Sequence, residues 1–358
     1  MRRFTFLLMG LILILLSSCQ NEVNEAVNRE ILTDLNTSQT PETTPPQPAL
    51  PTISLSLASQ LSDPGDPSNG PIYSLDWSPD GSRIAAAGYA RVDLWDAGTG
   101  EKVMKLGEIS GFVWGVDWSP DGTQIAAASD GGMVQVWDAE TGDIVQTFRI
   151  PGAFCLNWSP DGISLAAGTK NGMLYLLDVA AGETVDRKSI SDLLIAVKWS
   201  SDGAMLAVGK LSGPVEIYDG GSLELLQVFD DDQGQRRDAN GLDWSPDGTL
   251  LASAHQDGAV RVWEIVTGAM VQTFSVNHSW IRGVAWSPDG RLIAAGGNDS
   301  AVRIWDVDTG ELITEANEHR LPVWSIAWSP DGESLATGEG IYESHKCQSS
   351  LMVWKIQE

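Results

Sequence analysis

The chain has 358 residues, with 48 Asp and Glu against 22 Lys and Arg, giving a formal net charge of −26. That charge excludes a sequence-independent nucleic-acid binder, which gains its affinity from clustered Lys and Arg that displace counterions from phosphates. The 42% hydrophobic content excludes a wholly disordered chain, and 15 Trp beside 5 Tyr is a composition that needs a cause.

Residues 1–20 read MRRFTFLLMGLILILLSSCQ, in which Arg2 and Arg3 precede an apolar run that ends at Leu16. The run is short for a membrane span and has the layout of an export signal. The closing Leu16-Ser17-Ser18-Cys19 resembles the lipobox of a bacterial lipoprotein signal. That resemblance implies cleavage after residue 18, acyl chains on Cys19 and a stable membrane anchor outside the cytoplasm, since each buried methylene contributes about 0.8 kcal/mol. A plain secretory signal cut near Ser18, or an uncleaved anchor, is the other reading of the same run. Gln20 stands where an Asp retains many lipoproteins at the inner membrane, which favours the outer membrane or cell surface. Removal of residues 1–18 takes away Arg2 and Arg3 and moves the formal charge to −28. Residues 19–50 are polar, acidic and increasingly rich in Thr and Pro, the composition of an extended, semi-rigid linker.

From residue 70 onward the sequence repeats itself. WSPDG begins at Trp77, Trp118, Trp158, Trp244, Trp286 and Trp328, and WSSDG begins at Trp199, with spacings of 41, 40, 41, 45, 42 and 42. An apolar-alternating run precedes each phrase, and a small-residue run such as RIAAAG follows it. A third run ends at Trp95-Asp96, Trp137-Asp138, Leu177-Asp178, Tyr218-Asp219, Trp263-Glu264, Trp305-Asp306 and Trp354-Lys355, and a Gly turn with a fourth run completes all periods but the last. Four short strands per period make one propeller blade, and Ser-Pro-Asp-Gly suits the tight turn between its first two strands.

The period, the small-residue second strand and the terminal Trp-Asp resemble the WD-repeat family of β-propellers. The Tol-associated type of bacterial propeller also repeats an SPDG phrase but lacks the regular Trp-Asp. The resemblance implies an all-β, single seven-bladed propeller over residues 51–358. The last repeat stops after its third strand, and Thr52 to Leu57 form a spare alternating strand, so the N-terminal strand is expected to complete the last blade and close the ring. One family feature is mostly missing, the buried tetrad of His, Ser or Thr, Asp and Trp. Blade five keeps Ser253, Asp257 and Trp263 without a His, and blade seven keeps His319, Thr337 and Trp354 without the Asp, which leaves stability more to apolar stacking. His278 and His319 lie where the family's structural His is found.

Twelve of the 15 Trp belong to the repeated phrases, leaving Trp114, Trp280 and Trp324. These lie four or six residues before a phrase Trp, which places them on the upper rim, opposite the SPDG turns and near the central channel. The same offsets hold Tyr73, Phe112, Phe154, Leu193, Ile195, Asp238, Asn240 and Arg282. In WD-repeat proteins these positions commonly grip protein partners, and an aromatic rim with one Arg has the composition of an interface hot spot. Packing beneath the rim, as core between blades, is the competing role for these rings.

The expected function is a non-enzymatic, lipid-anchored extracytoplasmic scaffold or receptor that binds a protein partner as a monomeric propeller. The alternative is a small-molecule binder or hydrolase at the channel mouth using Asp238, Arg282 and His345. Those readings predict a broad exposed aromatic patch and a deep pocket with convergent polar groups, respectively. Two irregular loops, 229–241 and 339–350, are expected to rise from the upper rim. Asp230, Asp231, Asp232 and Asp238 match no calcium-loop spacing and read as a solvated acidic loop. Cys155 falls where other repeats carry Ser, Gly or Ala and reads as a core filler, and no disulfide with Cys347 is expected. His255, His278, His319 and His345 have no metal-ligand spacing, and no cofactor is expected.

Overall fold

The computed structural model describes residues 53–61, 71–107, 109–230, 238–276, 279–343 and 346–357. The signal run, Cys19, the linker, Asp231, Asp232, His278 and His345 lie outside the described residues, as do the side chains of 341–349, including that of Cys347. Strands β1 to β28 follow one another from Ser54 to Gln357 and form seven antiparallel four-stranded sheets. Six sheets are built from four consecutive strands each. The seventh takes β26 (Val323–Trp328), β27 (Ser334–Glu343) and β28 (Lys346–Gln357) from the end of the chain and β1 (Ser54–Leu61) from its beginning. The protein is therefore an all-β seven-bladed propeller, and β1 closes it.

Closure is specified residue by residue. Ser54 lies opposite Gln357 and Leu61 opposite Leu351, with a bulge between Leu57 and Ser59. Ile53 and Leu55 join the core of the last two blades, which also contains Trp354 and Trp328. Pairing removes the outer edge that β28 would otherwise expose.

Each blade buries the same set of residues. The small second strands, such as Ile84 to Ala87, are buried almost completely, because neighbouring sheets stack face to face across them. All twelve repeat Trp are buried, which accounts for most of the Trp excess. The phrase turn is held by its own first Ser. Ser78 Oγ donates to Asp80 Oδ1 at 2.6 Å and accepts the Arg83 N–H at 2.9 Å, and Gly81 takes a φ of 70° that a side chain would resist. The same Ser-to-Asp bond recurs in all seven copies, including Ser200 to Asp202, where the phrase lacks its Pro. Pro is thus the dispensable member of the phrase.

The buried polar networks differ from the sequence expectation. Blade five does have a His: Trp263 Nε1 donates to Ser253 Oγ at 2.8 Å, and that oxygen also bonds His255 Nε2 at 2.8 Å, from the same strand. Asp257 pairs instead with Arg261 at 2.6 Å. Blade seven does have its acid. His319 bonds Thr337 Oγ1 at 2.8 Å and Glu339 Oε2 at 2.9 Å, and Trp354 Nε1 donates to the same Thr337 oxygen at 2.8 Å. Ser350 donates to the other Glu339 oxygen. Both networks are chains of hydrogen bonds built from substitute positions, so these two blades do not depend on stacking alone.

Candidate functional site

The innermost strand of every blade starts at one mouth of the central channel and runs down to the phrase turn. These strands are β2 (Ser74–Trp77), β6 (Val113–Trp118), β10 (Ala153–Trp158), β14 (Leu194–Trp199), β18 (Ala239–Trp244), β22 (Ile281–Trp286) and β26. In six of them the pairing register slips by one residue at the same place, and the residue left unpaired is Trp114, Phe154, Ile195, Asn240, Arg282 or Trp324. Tyr73 is the equivalent residue of the first blade. A bulge re-aims one side chain away from the alternation of its strand. Here it turns one residue per blade toward the mouth, and seven such residues make a ring.

The residue after each of these is small for a steric reason. A Cβ on Gly241 would stand 2.8 Å from the Arg282 carbonyl oxygen, and one on Gly115 would stand 3.2 Å from the Leu156 nitrogen. The inner strands approach backbone to backbone, so only Gly, Ala, Ser or Cys fits. Cys155 occupies one of these places as a buried free thiol, and burial pushes its pKa up to about 12.

Four aromatic members of the ring form a continuous stack. Phe154 lies 4.8 Å from Trp114, Trp114 lies 4.4 Å from Tyr73, and Tyr73 meets Trp324 edge-on at 5.2 Å. Arg282 extends the stack, its Cζ lying 3.7 Å from the centroid of Trp324 and 5.5 Å from that of Trp280. Together with Leu193, Leu211 and Gln256, the ring and Trp280 line a cavity of about 270 Å³. Phe112 sits one layer further out, packed on Trp114, Tyr73 and Tyr89.

The rim is therefore concave rather than a broad exposed patch. Tyr73 is only 8% exposed and the other ring members are half-buried, whereas Trp280 is 42% exposed. Stacking within the rim and exposure to a ligand are combined here in the same rings. Asp238 is 5% exposed and does not line the cavity, which removes one polar group from the small-molecule reading. Asp230 follows the preceding fourth strand, Leu225–Phe229. The expanded segment 339–350 is largely a continuation of the β27–β28 ladder, paired as far as Glu343 opposite Lys346.

Below the mouth the channel, about 340 Å³, is lined by the residues that precede the phrase Trp. Asp76, Asp117 and Asp243 accept the backbone N–H of Trp118, Trp158 and Trp286 from the next blade at 2.7 to 2.9 Å. Asn157 does the same for Trp199 at 2.8 Å. Burial raises the carboxyl pKa of all three Asp, and for Asp76 the neighbouring Asp117 adds to burial and lifts it to about 8. Burial opposes the Lys198 ammonium in the same channel, but Asp243, Asp117 and Asp76 outweigh it and raise its pKa. These groups fasten blade to blade. Among the described residues no cluster of His, Cys, Asp and Glu is arranged to hold a metal ion.

Fold and mouth together define a propeller with an aromatic opening on one face. The WD domain, G-beta repeat model matches residues 60–96, 100–138, 268–306 and 310–355, and the anaphase-promoting complex subunit 4 WD40 domain model matches 223–281. The matched segments cover more than half of the chain, which belongs to the WD40-repeat β-propellers. Between them lie the blades whose third strands end in Leu177-Asp178 and Tyr218-Asp219 instead of Trp-Asp. A search of curated proteins found no match to the chain.

Proposed function

We propose that this protein is a non-enzymatic scaffold or receptor that grips another protein at the aromatic mouth of its propeller. The observation that supports the reading is the ring of bulge residues, which commits four aromatic side chains and an Arg to one concave opening. Large, rigid rings and Arg dominate the energetics of protein interfaces, particularly where surrounding residues exclude water. In the same proposal the ring is displayed outside the cytoplasm, as a monomer, from acyl chains on Cys19 and across the linker of residues 19–50, at the outer membrane or cell surface. Its net charge makes neutral or basic partners the expected ones.

Cross-linking in intact cells followed by capture of the full chain tests both parts. Trp114→Ala combined with Trp324→Ala should keep the folded ring, as read by its cooperative thermal transition, and lose the cross-linked partner. A partner list unchanged by the pair refutes the mouth as the interface. Cys19→Ser in the same experiment should move the protein out of the membrane fraction, and continued sedimentation with membranes refutes the anchor.

A further inference from the structure

We infer that the mouth recognises the C-terminal carboxylate of a partner chain that ends in apolar residues, with Arg282 as the group that binds the carboxylate. This inference rests on the proposed role of the mouth as a protein interface and specifies what enters it.

Arg282 is the only formally charged side chain that lines the cavity among the described residues. Its Nε–H donates to Asn298 Oδ1 at 2.5 Å, and no carboxylate among the described residues forms an ion pair with it. Two other basic residues, of the third and sixth blades, are already matched: Lys170 pairs with Asp130 at 2.9 Å, and Arg303 with Asp299 and Glu315 at 2.7 Å. Burial alone lowers the Arg282 pKa, to about 10, so the guanidinium stays charged at neutral pH while being poorly solvated. A desolvated, unpaired cation is costly, and its stacking on two Trp rings offsets only part of that cost. The stack also fixes the guanidinium plane, leaving its terminal N–H groups to present the planar fork that matches a carboxylate.

The rest of the cavity selects a chain end. Leu193, Ile195 and Phe154 give it apolar walls suited to a terminal aliphatic or aromatic side chain. Asn240 Nδ2 donates to the Ile281 carbonyl at 2.8 Å, which turns its Oδ1 into an available acceptor for a peptide N–H. The cavity's 270 Å³ lies below the roughly 300 to 1,000 Å³ of ordinary ligand pockets, so it admits one end of a chain more readily than an internal loop with two strands. An acidic segment would also work against a net charge of −26, whereas a C-terminus brings a single anion whatever the partner's composition.

The test uses the full chain and fluorescent octapeptides whose last two positions are varied over Leu, Ile, Val and Phe. One pool ends in a free carboxylate, a second in an amide, and a third in an amide with one internal Asp. Anisotropy should show the free-acid pool binding about tenfold or more tightly than the amide pool, the size expected for a charge-assisted, bidentate contact. Arg282→Gln should erase that difference, with the fold certified by an unchanged cooperative thermal transition. Equal binding of acid and amide pools, both lost in the Trp114→Ala, Trp324→Ala protein, overturns the carboxylate and leaves the mouth as an interface. Failure of the free-acid pool to bind overturns the inference, while cross-linked capture separately decides the interface. Binding of the internal-Asp pool as tight as the free acid overturns the chain end, and N-acetyl-leucine binding as tightly as the octapeptides points to a small acid instead.

Discussion

At the lower rim seven turns of nearly one sequence satisfy their own polar groups, whereas at the upper rim seven different residues meet across blades and, among the described residues, leave Arg282 without an ion-pair partner. The lower turn is local: Ser78, Asp80, Ser82 and Arg83 bond one another within six residues. Such a turn forms in the same way in every blade and has nothing left to offer a ligand. The mouth is assembled from positions hundreds of residues apart, such as Tyr73 on Trp324, and exists only once the ring has closed. One repeat thus supplies a rim for folding and a rim for recognition, and a single slipped register in the inner strand separates the two uses.

The largest break in this comparison is to open the ring. Deleting residues 53–61 strips β28 of its partner and Ile53 and Leu55 of their packing. The expected result is loss of the cooperative thermal transition and of partner capture, because the blade carrying Trp324 no longer has a fixed place beside Tyr73. Deleting residues 20–45 should leave the transition where it was. Closely similar midpoints for the two truncations would show that the mouth does not need closure.

A smaller break is Thr337→Val in blade seven. The substitution is close in shape, but it removes the oxygen that serves both His319 and Trp354. Leaving the buried Trp354 N–H and the His319 ring nitrogen without their common partner should cost about 3 kcal/mol, measured by urea unfolding at pH 7. The lower-rim turns should be unaffected, and the loss should appear as a loosened Trp324, with weaker capture at temperatures well below the midpoint. A change under about 0.5 kcal/mol would place blade seven's stability in stacking after all.

Much of this architecture is legible in the sequence because it is periodic. Seven phrase Trp, the stop after the third strand at residue 356 and the spare strand beginning near Thr52 are enough to count blades and close the ring. The offset of four residues also identifies all seven members of the mouth, from Tyr73 to Trp324. What the pattern conceals is register. A large residue followed by Ser, Gly, Ala or Cys is the trace of the bulge, yet strict alternation would have turned the same residue into the blade. Glu339 and His255 are missed for a related reason, since a hydrogen-bond network needs donors at the right point in space and accepts them from an unexpected place in the chain. That no carboxylate among the described residues pairs with Arg282 has no sequence signal at all, in a chain with 48 acidic residues.

The finest comparison sets one polar residue of each rim against the other, and the two should change stability in opposite directions. At the lower rim the hydrogen bond from Ser78, with those from Ser82, holds the Asp80 carboxyl down at about 2 against an ordinary 3.8. A depressed carboxyl contributes stability that is present above pH 4 and is lost as pH falls toward 2. Asp80→Ala should therefore lower stability at pH 7 by no more than about 1 kcal/mol, as for a cap lost from an exposed turn, and the deficit should vanish near pH 2. Arg282→Met should instead hold or raise the unfolding midpoint at pH 7. It removes a desolvated charge while its thioether chain keeps contact with Trp324, so the lost cation–π attraction of about 2 kcal/mol is offset by relief from desolvation. An Arg282→Met midpoint below that of Asp80→Ala would mean that the guanidinium serves the fold. A midpoint at or above wild type, together with lost preference for free-acid peptides, would mean that the ring carries this cation for its ligand.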